Sequence, residues 1–142
     1  MPSVLFFVLF LLFLGQRVHR LLEAQGESEV EFLLNIGRWH ITGRFDKLIP
    51  RASGGHEIVD WKTDRESDWQ EIVKRYRENQ MRLYALALHR SGRAALIDGT
   101  VQVHLALLQH GRVETLHFPL QELETFADDL EMQLQEMEQF GE

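Results

Sequence analysis

Gly43-Arg-Phe-Asp-Lys-Leu-Ile-Pro50 and His56-Glu-Ile-Val-Asp-Trp-Lys-Thr63 are joined by Arg-Ala-Ser-Gly-Gly55, and this stretch decides the fold. Apolar residues stand on both sides of a loop that is rich in turn-forming residues. That arrangement predicts two antiparallel strands joined by a loop. The rest of the chain is expected to build its sheet around this pair of strands.

Charged side chains are expected to converge near the end of the two strands. If the loop folds symmetrically about its middle, Asp46 lies opposite Val59 or Asp60. Side chains alternate along a strand, so Asp60 and Lys62 share a face. Two carboxylates and one ammonium on one patch are costly to bury unless something pairs them. A divalent metal held by Asp46 and Asp60, with Lys62 facing an anionic substrate, explains all three residues.

A second candidate region is the segment from Trp69 to about His89, whose apolar residues recur at helical spacing. Asp68 is a suitable N-cap for this helix. Gln80 and Tyr84 fall on or beside the apolar stripe. A glutamine on an inward face needs hydrogen-bond partners, whereas one at the stripe's edge reaches water. The helix also carries basic residues that could contact a phosphate backbone, or could simply be solvated: Lys74, Arg75, Arg77 and Arg82.

Four pieces of the sequence, in this order, together resemble the PD-(D/E)XK nuclease superfamily. They are Gly15-Gln-Arg-Val-His-Arg-Leu-Leu-Glu23, Gly43-Arg-Phe-Asp46, Val59-Asp-Trp-Lys-Thr63 and Gln80-Met-Arg-Leu-Tyr84. The match is nearest to the RecB/AddA-type nuclease domain found at the C-terminus of helicase-nucleases. The resemblance runs from about Gly15 to the end of the chain. It implies an α/β fold with a restriction-endonuclease-like core, in which a central mixed sheet of about five strands is flanked by helices.

The resemblance also implies a set of metal ligands. His19 would join Asp46, Asp60 and the backbone carbonyl of Trp61 in holding Mg²⁺, with Mn²⁺ as a possible substitute. Glu23, four residues after His19, is a weaker candidate and would orient the imidazole.

Three further residues receive roles from the resemblance. Lys62 would position or deprotonate the attacking water, or stabilise the transition state. Gln80 and Tyr84 match a Gln-X-X-X-Tyr motif and would support this arrangement beside the metal. Glu57, although close in sequence, is expected to be solvated.

Composition limits the class of protein. A length of 142 residues suits one domain, expected over residues 15–142. The chain has no cysteine, which excludes thiolate metal sites and favours hard cations on oxygen and histidine ligands. The net charge of -7 argues against a broadly basic nucleic-acid clamp, so strong DNA affinity is expected to need a partner or a further domain.

The N-terminal residues 1–14 contain an unbroken apolar run from Val4 to Leu14. The run is shorter than the roughly 20 residues of a membrane span. We expect an apolar lead-in helix or a segment derived from truncation, with a short hydrophobic anchor as the alternative. Stable membrane association is not expected, and the expected location is the cytoplasm.

These observations together favour a magnesium-dependent deoxyribonuclease. The absence of a recognisable sequence-reading surface favours processing of DNA ends or single strands. The resemblance to RecB/AddA-type domains implies an exonuclease in DNA repair or recombination. One alternative is a non-catalytic module that binds DNA ends or serves as a scaffold. Another is an orphaned fragment of a helicase-nuclease that is inactive without its helicase partner.

Overall fold

The computed structural model of the chain describes residues 16–140. The apolar segment expected over residues 1–14 lies outside that range. The four α-helices are α1 (Gln16–Glu23), α2 (Trp69–Tyr76), α3 (Arg82–Arg90) and α4 (Leu120–Phe140). The six strands are β1 (Glu27–Ile36), β2 (Trp39–Pro50), β3 (His56–Lys62), β4 (Leu96–Ile97), β5 (Thr100–Leu107) and β6 (Arg112–Pro119).

One mixed sheet contains all six strands. Strands β1, β2 and β3 form an antiparallel meander, and β5 lies parallel to β3. Both β4 and β6 pair with β5 in the antiparallel sense. The predicted α/β fold with a mixed sheet and flanking helices is confirmed, with six strands rather than about five. The additional strand is β4, whose two residues are too few to show a period in the sequence.

The main core lies between one face of the sheet and the helices α2, α3 and α4. Alternate residues of β1 enter this core, as expected for a strand with one covered face: Phe32, Leu34 and Ile36. The opposite face of β3, β5 and β6 carries α1, which packs Val18 against Ala106 and Val113. The strands in the middle of the sheet are therefore covered on both faces.

Buried polar contacts fasten α1 to the sheet. Lys47 is 7% exposed, and its ammonium donates to the carbonyls of Leu21 at 2.9 Å and Leu22 at 3.3 Å. These carbonyls belong to the last turn of the helix, where backbone acceptors lack partners and a cation is favoured. Burial lowers the pKa of Lys47 below its ordinary value. At the other end of α1, Arg17 donates to the carbonyl of Val113 at 2.9 Å.

The helix predicted from Trp69 to His89 is present, but it is not a continuous α-helix. A π-helical turn, Arg77–Met81, joins α2 to α3. Asp68 caps the start of α2, since its carboxylate accepts from the backbone N–H groups of Gln70 and Glu71. Turns of the π type occur preferentially at functional sites, and this one contains Gln80.

None of the helices within residues 16–140 combines the length and the apolar character needed to cross a membrane.

Candidate active site

Asp46 lies where the pairing of β2 with β3 stops. The last pair of the ladder is Lys47 with Val59, so Asp46 and Asp60 occupy the next positions on the two strands. Beyond this point the Asp46 carboxylate accepts a hydrogen bond from the backbone N–H of Trp61 at 2.8 Å. A side chain thus takes the place of a backbone acceptor, and the strands can separate without leaving that N–H unpaired.

The strand β2 is irregular at Asp46. Phe45 and Leu48 both pack into the main core although they are three positions apart, which strict alternation does not allow. Glu29 and Asp46 are left unpaired in the ladder between β1 and β2. Glu29 also has a positive φ of 54°. Such a backbone is uncommon for a residue other than glycine. The irregularity provides a local reason for Asp46 to turn toward Asp60.

Four side chains form a connected row, which we call the Asp60–Tyr84 row. Asp60 is 2% exposed, and its Oδ2 lies 3.0 Å from Nζ of Lys62. Lys62 donates to Oε1 of Gln80 at 2.5 Å. Gln80 in turn donates through Nε2 to the hydroxyl of Tyr84 at 3.0 Å. The structure therefore places Gln80 and Tyr84 beside Lys62, on the inward side of the helix rather than in solvent.

The Lys62 ammonium is held in a confined position. Its Nζ lies 4.4 Å from the centroid of the Tyr76 ring, close enough for a cation–π contact. The Tyr76 hydroxyl is fixed by Asp64, 3.0 Å away, and Asp64 is paired with Arg75 at 3.1 Å. These contacts order the loop that follows β3 and limit the positions that the ammonium can reach.

The electrostatics of the Asp60–Tyr84 row would favour a bound cation. Burial raises the pKa of Asp60 to about 6; the Lys62 charge opposes this rise and the Asp46 charge adds to it. Among the described residues, Asp60 Oδ2 has no partner in hydrogen-bond geometry, although Lys62 is near. Burial also raises the pKa of Tyr84, with a further contribution from Asp60. Two converging carboxylates, one of them buried with a raised pKa, are a donor set that suits a hard divalent cation.

The raised pKa of Asp60 predicts a change in stability with pH. The folded-state pKa of about 6 exceeds the ordinary value of 3.8, so the folded protein holds the extra proton between these values. The metal-free protein should therefore lose stability as the pH rises from about 4 to about 6. Asp60→Asn removes this loss, so the variant should gain up to about 3 kcal/mol relative to wild type between pH 4 and pH 7.

Urea unfolding with a chelator present, at several pH values, measures this difference in the free energy of unfolding. Asp98→Asn is the matched control, because Asp98 lies in an exposed turn. A difference between Asp60→Asn and wild type that stays constant across this pH range would contradict the assignment.

The other predicted ligands are less closely gathered. His19 lies on α1 with Nε2 3.2 Å from Oε1 of Glu23, and its side chain is 37% exposed. Trp61 contributes its backbone N–H to Asp46, and its side chain packs beside Val18. Within residues 16–140, no three histidine, aspartate or glutamate side chains lie close enough together to hold a metal ion. The combination of His19 with Asp46 and Asp60 stays a prediction.

Glu57 was expected to be solvated, and that expectation is wrong. It is 4% exposed and lies 3.2 Å from Arg51 and 3.3 Å from His104. Burial raises the pKa of Glu57, but hydrogen bonds and charge from His104 and Arg51 outweigh it, so the pKa is below its ordinary value. The burial of Glu57 follows from the parallel pairing of β3 with β5, because strands that pair in parallel are usually covered on both faces.

Most of the basic residues on the long helix have intramolecular partners. Arg75 pairs with Asp64 and Glu66, and Arg77 pairs with Glu122 at 2.9 Å. Arg82 donates to a backbone carbonyl in the π-helical turn. The helix is therefore a weaker phosphate-binding surface than its sequence indicates.

Comparison with known proteins defines the family. No curated protein matches the chain. The crystal structure of SSO0001 is similar over 89% of this chain and 59% of its own, with a TM-score of 0.47 and 18% identity. This chain thus spans less than two thirds of that one. The sequence profile described as the PD-(D/E)XK nuclease superfamily matches residues 12–141. A match over so much of the chain, with the six-stranded mixed sheet, shows that the protein belongs to the PD-(D/E)XK nuclease superfamily.

Proposed function

We propose that this protein is a magnesium-dependent deoxyribonuclease that hydrolyses phosphodiester bonds at DNA ends or in single strands. The observation that carries the proposal is the convergence of Asp46, Asp60 and Lys62 at the point where β2 and β3 separate. A purely structural domain gains nothing from a buried carboxylate whose pKa is raised in this way. A nuclease does, since the same carboxylate becomes favourable once a cation is present.

The metal would be held by Asp46 and Asp60, joined by His19 and the backbone carbonyl of Trp61. When bound, magnesium activates water for attack and neutralises charge that develops on the phosphate. Asp46 is held in place for this task by the N–H of Trp61 at 2.8 Å. His19 is held on a helix that Lys47 and Arg17 fasten to the sheet.

Lys62 would act on the scissile phosphate and the attacking water. Its ammonium can donate to a non-bridging phosphate oxygen and hold the water in line with the bond that breaks. Hydrolysis adds the water oxygen to phosphorus, and the leaving oxygen takes up a proton. Gln80 holds the ammonium at 2.5 Å, and Tyr84 orients the Gln80 amide, so these two act as positioning residues.

The finer parts of the proposal concern the biological setting. The resemblance to RecB/AddA-type domains favours an exonuclease that works in cytoplasmic DNA repair or recombination. The net charge of -7 and the internally paired arginines favour a helicase partner, or a helicase domain, that supplies the DNA strand.

The proposal predicts cleavage of labelled single-stranded DNA with magnesium or manganese and none with a chelator. Asp46→Asn, purified in the same way, is the control for a contaminating nuclease. An exonuclease should degrade the linear strand and leave a circular single strand of the same sequence intact. Cleavage that is equal in wild type and Asp46→Asn, or wild-type protein that cleaves neither form with either metal, would contradict the proposed function.

A further inference from the structure

Tyr76 lies against the Lys62 ammonium, although it belongs neither to the predicted motifs nor to the Asp60–Tyr84 row. Nζ of Lys62 is 4.4 Å from the centroid of the Tyr76 ring. The face of an aromatic ring attracts a cation, and most strongly where water is partly excluded. The Lys62 side chain is 16% exposed and Tyr76 is half-buried against the main core, so the contact is shielded from water.

The Tyr76 ring is fixed at its hydroxyl end. The hydroxyl lies 3.0 Å from each carboxylate oxygen of Asp64 and donates to that carboxylate. Asp64 also accepts from Arg75 at 3.1 Å, and Arg75 pairs with Glu66 at 3.1 Å. The last residue of α2 is thus tied to the loop that follows β3. The ring turns away from Lys62 only if these contacts break.

The π-helical turn brings Tyr76 into line with Gln80. Tyr76, Gln80 and Tyr84 follow one another at intervals of four residues. In a regular α-helix each such interval moves the side chain by about 40° around the axis, because 3.6 residues complete a turn. The π-helical turn, Arg77–Met81, takes more residues per turn and so reduces this drift. Tyr76 and Gln80 therefore both reach Lys62 from one side of the helix.

Side-chain donors support the π-helical turn. Asn79 donates to the carbonyl of Arg75 at 2.9 Å, and Arg82 donates to the carbonyl of Glu78 at 2.7 Å. A change of helix type disturbs the regular backbone pairing, and side-chain donors compensate for it. The turn that sets the position of Tyr76 is therefore itself held by hydrogen bonds.

The ring attracts the ammonium without supplying an oxygen acceptor. An ammonium has three N–H donors. One of them donates to Oε1 of Gln80 at 2.5 Å, and Oδ2 of Asp60 lies 3.0 Å from the nitrogen. The Tyr76 ring restrains the nitrogen through its charge, so an N–H stays available for a phosphate oxygen or for water.

We propose that Tyr76 is a positioning residue for Lys62 and holds the ammonium in its reactive place through the face of the ring. The inference rests on the proposed nuclease function, in which that ammonium meets the scissile phosphate. Tyr76 acts through Lys62 rather than through the substrate. Its loss should therefore lower kcat and leave KM nearly unchanged.

The kinetic test separates the ring from the hydroxyl. Tyr76→Leu should lower kcat for labelled single-stranded DNA with magnesium about tenfold, whereas Tyr76→Phe should retain most of the wild-type kcat. A trifluorinated phenylalanine at this position keeps the shape of the ring but weakens its negative face, so kcat should fall toward that of Tyr76→Leu. Thermal melting checks that each variant is folded. Trp69→Leu is the matched control, since it removes the contact of another α2 ring with Arg112 and should not change kcat.

A spectroscopic measurement decides the contact independently of cleavage. The lysines of the chain are Lys47, Lys62 and Lys74, so isotope-labelled lysine gives a simple NMR spectrum. The ring beside Lys62 should shift the resonance of its Hε protons upfield. Tyr76→Phe should keep this shift and Tyr76→Leu should abolish it, while the other two lysines stay unchanged. Lys62→Arg identifies the resonance by removing it.

Three results would overturn the assignment of Tyr76. One is a Lys62 resonance that is the same in wild type and in Tyr76→Leu. Another is a Tyr76→Leu variant that keeps the wild-type kcat. The third is a Tyr76→Phe variant that is as slow as Tyr76→Leu. Failure of the nuclease proposal differs from all of them, since wild type would then cleave no DNA with magnesium or manganese while the lysine spectrum still decides whether Tyr76 holds Lys62.

Discussion

Lys62→Ala should lower the rate of DNA cleavage by about 10³-fold while leaving metal binding nearly unchanged. Lysine is a donor to the substrate and not a metal ligand, so only the reaction should suffer. The side chain is 16% exposed and makes close contacts with Asp60, Gln80 and Tyr76. In Lys62→Ala, water can occupy the space of the lost side chain, but it does not replace the fixed positive charge.

Lys62→Arg should also fail. A planar guanidinium does not reproduce the compact ammonium that fits between Asp60 and Gln80, and it does not readily release a proton. The measurement is hydrolysis of labelled single-stranded DNA with magnesium, with manganese calorimetry on the same preparations. Lys74→Ala is the matched control, since Lys74 is an exposed lysine on the adjoining helix. Wild-type rates in both Lys62 variants would show that this lysine is only a strand residue.

Asp60→Ala should remove divalent metal binding from the protein. The Asp60 carboxylate is buried, and both its burial and the nearby Asp46 charge disfavour its ionised form. Each of these conditions makes a cation favourable at this carboxylate, so its loss should abolish the heat of manganese binding. Asp98→Ala, in an exposed turn, is the control for nonspecific association with this acidic chain.

The same calorimetry separates the roles of the two residues on α1. His19→Ala should weaken manganese binding if the imidazole is a ligand, and Glu23→Ala should have a smaller effect because it only orients that ring. Unchanged binding in Asp60→Ala would refute the metal assignment as a whole. Unchanged binding in His19→Ala alone would leave a site made by the two aspartates.

Local patterns in the sequence limited the register of the central strands to two neighbouring alternatives, with Asp46 opposite Val59 or Asp60. The turn residues between Pro50 and His56 place the centre of the loop, and the alternation of side chains brings Asp60 and Lys62 to one face. The structure selects the register in which Asp46 stands level with Asp60. The N-cap at Asp68 and the helix that follows were also predictable, because a cap and an apolar stripe depend on residues only a few positions apart.

Long-range packing decided what local patterns could not. The π-helical turn that contains Gln80, the positive φ of Glu29 opposite Asp46, and the burial of Glu57 against His104 each involve residues from separate elements. No short window of sequence contains both partners of such a contact. The sequence therefore determined which chemical groups are available and their order along the strands. The tertiary structure decided how Lys62, Gln80 and Tyr84 connect, because those positions follow from the packing of helices on a sheet.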